Sequence, residues 1–304
     1  MDRLLAMRAL VRVIETGSFS AAAKQMRLGQ PAVSRSVAQL EKRLGVPLIL
    51  RSSRKLIPTE AGRNFFEHAK RSLEEADEAE LAARGAGAGL SGVLRFAAAV
   101  TFARLHVIPQ LPSFLEQHPT LQVEAILDDR NVDLIGEGID VALRLGKLAD
   151  STHVAHRIGS AKRVVLGSKK YFARAGKPRK PSDLPAHQSV IYTLAGGGEN
   201  WTFTKGNKQE SVTLQGKLRT TAAEAMREAV FCGMGLCVAS DGMFPPAEDD
   251  RVVRVLTDWQ LPPLDIWAVY PAGRRASAKA RAFAAHIEQA LSKTGFSASA
   301  TGKP

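Results

Sequence analysis

Apolar residues at Leu4, Met7, Leu10, Val11 and Ile14 recur at helical spacing, and they predict an amphipathic helix that ends near Thr16 and Gly17. Ser18 stands where it can cap a second, short helix, FSAAAKQM, whose alanines let another helix pack closely. The tight turn RLG follows. Val33, Val37, Leu40 and Leu44 then fall on one stripe of a third helix, whose opposite face carries Pro31, Arg35, Ala38 and Lys42. Two apolar runs, Val46–Leu50 and Leu56–Ile57, flank the basic tip RSSRK and predict a short hairpin, or wing, with Pro58 ending its second arm. Thr59 caps a long helix to Arg84, on which Phe66, Ala69, Leu73, Ala76 and Ala83 approximate a heptad seam that Glu80 interrupts. So narrow a stripe predicts a partner helix, and so a dimer; packing on its own domain is the alternative.

The pattern changes at GAGAGLSG (85–92), where glycines alternate with alanines and predict a hinge. Strand-like and helix-like runs then alternate: VLRFAAAV, a helix over 101–117 disturbed by Pro109 and Pro112, LQVEAILD, a short helix NVDLIGEG, and IDVALRLG. A second series starts near residue 162 with KRVVLGS. It continues through SVIYT, WTFT, the helix AAEAMREAVFCG and the strand LCVAS. LDIWAVY and a helix over Ser277–Leu291 follow, and residues 293–304 read as a disordered tail. The fold class is therefore α/β overall: an all-α winged helix-turn-helix, a linker helix, and parallel sheets covered by helices. The sequence shows no internal repeat.

Charge adds a direction to this outline. The net charge is +12, but residues 1–63 hold 12 Lys and Arg against 4 Asp and Glu, and the other 241 residues hold 30 against 26. A localised basic module is an electrostatic footprint for a polyanion, with nucleic acid first. No apolar run is long enough to cross a membrane, and the N-terminal residues lack the apolar core of a secretory signal, so the cytoplasm is the expected location. Cys232 and Cys237 are too few for a disulfide framework and read as buried, reduced thiols. No GxSxG, HExxH or phosphate-loop signature occurs, AGGGEN has no GxGxxG context, and the protein is not expected to be an enzyme. His153 and His156 fall on opposite faces of a strand, so no metal site is expected either.

The third helix explains the basic module. A helix enters the major groove if its exposed face is small and carries donors. Gln30 can pair with adenine, Arg35 with guanine or a phosphate, and Ser34 can donate to a base or the backbone; Pro31 is a compact apolar surface for a thymine methyl. Ala38 keeps the middle of the face low. Pro31 also suits a first helical turn, where its missing N–H is not needed.

The stretch from Leu10 to Gly62 holds GSFSAAA, QPAVSR, LEKRLG, LILR and TEAG in order, and it closely resembles the DNA-binding domain of LysR-type transcriptional regulators. GVLRFAAAVTFAR, DDRNVDLIGEGIDVALRLGKLADS and EAVFCGMGLCV resemble the effector-binding domain of the same family. The resemblance implies DNA contacts from Ser18, Ser20, Gln30, Pro31, Ser34 and Arg35, and from Arg51, Ser53, Arg54 and Lys55 on the wing. It departs from the family at Gly29, where Ser is usual, at Ile49, often Phe, and at Pro58, commonly Leu.

The resemblance further implies a winged domain over 1–58, a linker and dimerisation helix over 59–84, a hinge over 85–92, and two periplasmic-binding-protein-like subdomains. These would be 93–161 with 266–292, and 162–265, holding the effector between them. Parallel α/β sheets bind small molecules at the carboxyl ends of their strands. Here those ends are Val100, Thr101 and Phe102; Asp128 of the pair Asp128–Asp129; Arg144, Leu145 and Gly146; and, in the second half, Tyr192, Thr220 and Thr221. Thr101 capping a helix would suit a carboxylate, so a small organic acid is the expected co-inducer, with no other cofactor. Double-stranded DNA at a near-palindromic site, a second copy of the chain, a tetramer and RNA polymerase are the implied partners, with no membrane. An enzyme, a free solute-binding protein and a nucleoid protein without an effector are the rival classes. The direction of control, activation or repression, stays open.

Overall fold

The computed structural model describes residues 2–51, 56–84, 89–148, 154–194, 197–245, 250–271, 276–294 and Phe296, without the side chains of residues 51, 74, 77, 78 and 80–84. The chain divides into two units, Met1–Ala88 and Gly89–Pro304.

In the first unit Asp2 accepts the Leu5 amide at 3.1 Å and starts α1 (Arg3–Thr16); Gly17, at φ 63°, ends it. Ser18 accepts the Ala21 amide and starts α2 (Phe19–Met26), and Gly29 precedes α3 (Gln30–Leu44). Ala22 and Ala23 let α2 approach a core of Leu10, Val13, Val33, Val37 and Leu40. Leu44, expected on that stripe, is exposed instead, because the helix ends one residue later at Gly45. The wing pairs β1 (Ile49–Arg51) with β2 (Leu56–Pro58) antiparallel; its tip, residues 52–55, lies outside the described residues.

The base of the wing is fastened by two side chains and a close backbone approach. The Glu41 carboxylate accepts the Leu48 and Ile49 amides at 2.7 and 3.0 Å. Thr59 donates its hydroxyl to the Pro47 carbonyl and accepts the Gly62 amide, both at 2.8 Å, at the start of α4 (Glu60–Arg84). Gly62 packs so closely that a Cβ there would lie 1.9 Å from the Leu48 carbonyl oxygen. The heptad seam is split: Ala69 and Leu73 are buried against Met7 and Val11 of α1, with Phe65 and Phe66 beside them. So the first turns of α4 pack on their own domain, and of the later seam residues Ala76 is half-buried while the side chains of Glu80 and Ala83 lie outside the described residues.

The second unit opens with β3 (Ser91–Ala98), which takes Ser91 and Gly92 out of the expected hinge by pairing them with Thr120 and Leu121. Next come α5 (Val100–Phe102), a π turn over Ala103–Val107, a 3-10 turn over Ile108–Gln110 and α6 (Leu111–Gln117). Pro109 has no N–H to continue the α ladder, and the Ile108 amide reaches back to the Ala103 carbonyl. β4 (Thr120–Leu127) and β5 (Val141–Leu145) flank the stretch NVDLIGEG, which forms turns and not the expected helix. There Asp133 takes the Ile135 amide, and Gly138 sits at φ 65°.

β6 (Val154–Ala161) leads across Lys162 into β7 (Arg163–Ser168), α7 (Lys169–Ala175) and β8 (Ser189–Tyr192). WTFT does not join that sheet: β9 (Asn200–Lys205) and β10 (Lys208–Thr213) pair as a separate hairpin. β11 (Gly216–Thr220), α8 (Ala223–Phe231), β12 (Leu236–Ser240) and β13 (Val252–Val255) complete the second half. β14 (Leu264–Tyr270) returns to the first sheet, so Leu264 and Asp265 belong there. α9 (Ala278–Lys293) starts at the Ser277 cap. Phe296 lies in the expected tail but is buried; residues 297–304 lie outside the described residues.

Among the described residues the two large sheets have five strands each, in the orders β4-β3-β5-β14-β6 and β11-β8-β12-β7-β13. Neither is wholly parallel, as expected from the alternation: β14 runs against β5 and β6, and β7 against β12 and β13. The two orders are equivalent, with β3, β4, β5, β6 and β14 matching β8, β11, β12, β13 and β7. The repeat that the sequence hides is thus present in the topology.

Gly62→Ala is expected to lower the stability of the first unit by about 1–3 kcal/mol, because backbone must move to admit the methyl. Urea denaturation followed by helix signal checks this; an unchanged midpoint would mean that the wing base yields freely.

Candidate DNA interface and ligand cleft

Helix α3 starts with amides that no helical carbonyl accepts. Gly29 adopts φ −70° and ψ 140° at its N-cap and makes no side-chain hydrogen bond. A Cβ there would meet only the Pro31 Cδ, at 3.7 Å, so glycine is not required by space or by conformation. Gln30, Pro31, Arg35 and Ala38 are exposed and Ser34 is half-buried, which gives the small, donor-bearing outer face. Ser20 donates its hydroxyl to the Gln30 Oε1 at 2.9 Å and so ties the exposed amide to α2. The amide carries both a donor and an acceptor, as a base edge with one of each requires. Ser18, by contrast, spends its oxygen on the α2 cap. Arg51 is placed by its pairing with Leu56, and its side chain, with Ser53, Arg54 and Lys55, lies outside the described residues.

The second unit holds a cleft between its two large sheets, with a pocket of about 680 Å³ including its mouth. Thr101, Phe102, Leu145 and Tyr192 line it together. Asp128, Arg144 and Leu145 line a smaller space of about 390 Å³ over the ends of β3, β4 and β5. There Asp128 takes the Arg130 amide, and Arg144 donates to the Val132 carbonyl. Val100, Gly146, Thr220 and Thr221 line neither: the Val100 amide bonds Asp129, the Gly146 amide bonds the Asp265 carbonyl, Thr220 accepts the Ala222 amide, and Thr221 is exposed.

The residue that joins the two halves is Asp129. Both α5 and α8 are preceded by an alanine, Ala99 and Ala222, and neither has a side-chain cap of its own. Asp129 Oδ1 accepts the Val100 amide at 2.9 Å, and its Oδ2 accepts the Ala223 amide at 2.7 Å. One carboxylate therefore caps a helix in each half. Around it Arg104 pairs with Glu224 at 2.9 Å, and His106 Nε2 donates to the Gly242 carbonyl at 2.8 Å. Burial lowers the His106 pKa, against the hydrogen bond to Gly242, so the ring is neutral at neutral pH. Burial first, and the Asp129 charge second, push the Tyr192 phenol far up, so it remains a neutral hydroxyl.

The expected cap at Thr101 is absent. Ala99 is the N-cap, and the Thr101 hydroxyl is buried at 2% exposure with no hydrogen-bond partner. The place foreseen for an effector carboxylate is filled by Asp129. The sequence reading also missed His106, Arg163, Met226 and Phe296 as pocket residues. Phe296 meets the His106 ring edge to face at 4.8 Å, and no periodic pattern marks a single aromatic beyond the last helix.

Cys232 is exposed and not buried as expected, and donates to Glu228 at 3.5 Å; burial pushes the Cys237 thiol up to about 12. His156 lies 3.5 Å from Glu288, and His153 is outside the described residues. Among the described residues no three His, Cys, Asp or Glu side chains converge on a metal position, and no helix is long and apolar enough to cross a membrane.

Comparison with known proteins identifies both domains. Residues 4–63 match the bacterial regulatory helix-turn-helix protein, lysR family, and residues 87–292 match the LysR substrate binding domain. An HTH-type transcriptional regulator of Xanthomonas campestris is 36% identical over 278 residues, covering 90% of this chain and 81% of that one. An HTH-type transcriptional repressor of Pseudomonas aeruginosa is 30% identical over 287 residues, covering 93% and 90%. The full-length structure of the Vibrio cholerae virulence activator AphB, a member of the LTTR family, matches with a TM-score of 0.56 at 26% identity, covering 93% and 97%.

Thr101→Val removes the orphan hydroxyl at nearly constant shape. It is expected to raise the stability of the ligand-free protein by about 1 kcal/mol; a loss of that size in thermal unfolding would give the hydroxyl a partner in solution. Gly29→Ser is expected to add about 0.3 kcal/mol to the stability of the DNA-binding unit. It should also tighten DNA binding at low salt by offering a hydroxyl to a phosphate, as read by fluorescence anisotropy; unchanged binding would make the position neutral.

Proposed function

The chain belongs to the LysR family of bacterial regulatory proteins, and on that premise we propose that it reads a near-palindromic DNA site through the outer face of α3 and changes its hold on that site when a small molecule enters the cleft of its second unit. It is a LysR-type DNA-binding transcriptional regulator with an effector-binding domain. The observation that carries the finer reading is the Ser20–Gln30 hydrogen bond, which positions an exposed amide at the start of a helix whose outer face is otherwise small. Such an amide pairs with the adenine edge, and Arg35, one turn further on, reaches guanine or a phosphate.

Two chains pair through the part of α4 beyond Leu73, since its earlier apolar residues are used by α1. The two α3 helices then enter successive major grooves about one turn apart. Further pairing of effector-binding domains gives a tetramer, and effector binding shifts the populations of two assemblies, altering DNA bending or contact with RNA polymerase. A repressor and an activator both stand among the relatives, so the shared fold does not by itself set the direction of control. Work inside the cytoplasm, in the absence of any catalytic step, follows from this role.

Arg35→Ala is expected to cost about 1–3 kcal/mol at one base position and to relax preference there, measured by competition with singly substituted sites. A uniform loss over all sequences would assign Arg35 to phosphate. Footprinting on DNA upstream of the protein's own coding region should give a two-fold-related protected site; uniform coating would replace the regulator reading with a nucleoid protein.

A further inference from the structure

The pocket wall has an unusual electrical composition for a site expected to take an acid. The amides of Val100 and Ala223, on opposite sides of the cleft, are the donors that an effector carboxylate would seek, and both are already given to Asp129. Asp129 lines the adjoining smaller space, and its charge already bears on the Tyr192 phenol of the pocket wall, so a second carboxylate placed in the pocket is repelled by the first. An ion without a counter-charge also pays its full desolvation on burial.

Among the other polar groups described in the wall, one carries an opposing charge, and it donates hydrogen bonds to protein carbonyls. His106 is neutral and bonded to Gly242, Tyr192 stays protonated, and Thr101 and Ser240 are hydroxyls. Arg163 is the cation lining the pocket among the described residues. Its guanidinium donates to the carbonyls of Pro262 and Pro263 at 2.6 and 3.1 Å and lies over the Trp201 ring at 5.2 Å.

What remains is apolar and aromatic. Phe102, His106 and Phe296 form a run of rings, with centroids 5.6 and 4.8 Å apart in turn, and Met226 and Met243 are adaptable neighbours in the same wall. Among these groups the Thr101 hydroxyl is buried and without a partner. A buried hydroxyl in that state is expensive, and a ligand that supplies the missing hydrogen bond recovers the loss.

We propose that Asp129 is a built-in anion standing where an effector carboxylate would bind, and that the cleft accordingly takes an uncharged, single-ring aromatic molecule with one hydrogen-bonding group for Thr101. This deepens, and rests on, the reading of the cleft as the effector site. The bound ring stacks among Phe102, His106 and Phe296, and its polar group meets the hydroxyl. Asp129 keeps the two halves tied at Val100 and Ala223 while the ligand is held.

Isosteric pairs that differ only in charge test the idea on the full-length protein: benzamide against benzoate, and phenylacetamide against phenylacetate, by isothermal titration calorimetry at neutral pH. The expected result is that each amide binds at least tenfold more tightly than its acid, and that Asp129→Asn narrows the ratio severalfold by removing the charge. Acids that bind the unmodified protein as tightly as the amides overturn the proposal, while leaving the cleft as the effector site. Binding of neither member of either pair, with DNA affinity unchanged by all four compounds, overturns the cleft reading and this inference with it. If Asp129→Asn does not fold, the ratio in the unmodified protein decides alone.

Discussion

The Asp129 carboxylate accepts one amide from each side of a cleft, and the geometry of the second unit follows from that pair of hydrogen bonds. Helix starts expose donors that must be satisfied. Here the two relevant helices begin after alanines, which cannot cap, and a single residue from the turn after β4 serves both. Hydrogen bonds to a charged acceptor contribute about 1.5–3 kcal/mol each, so the two together rival the whole marginal stability of many small domains. Arg104–Glu224 and His106–Gly242 join the same two halves, and the pocket lies among these ties.

The crossings of the chain complement that clasp. The halves are joined at Lys162 and over residues 256–263, and Arg163 beside the first crossing donates to Pro262 and Pro263 on the second. Each crossing feeds a strand that runs against the others of its sheet, β7 in one and β14 in the other. Two short, mutually bonded connections on one side and a set of polar ties on the other are the parts that a closing or opening cleft requires.

In the first unit, the motif residues divide by physics into fasteners and readers. Glu41, Thr59 and Gly62 bind the wing base to α3 and α4: one holds two amides, one bonds in both directions, and one is small because backbone passes within contact distance. Gln30, Pro31 and Arg35 face outward and touch nothing in the core. Ser20 belongs between these groups, since it holds a reader in position. Ser18, which the resemblance puts with the readers, is placed by its capping of α2.

The sequence by itself determined the parts governed by local pattern. The helical stripes of α1 and α3, the Ser18 and Thr59 caps, the wing and the alternation of strands and helices are all set by neighbours within a few residues, and they are legible in one dimension. Family motifs added the two-domain plan. Only the tertiary structure decided what depends on distant partners. Leu73 turned to α1 and away from a second chain, the turns of 133–138 replaced a helix, and both large sheets acquired a reversed strand because the chain crosses between them twice. The same holds for the cleft. Asp128 and Asp129 are chemically identical in the sequence, and nothing local distinguishes them; the fold assigns one to a turn and the other to amides 29 and 94 residues away. Caps and stripes are short-range and can be read from spacing, whereas a carboxylate shared by two helix ends exists only once both ends have been brought to it.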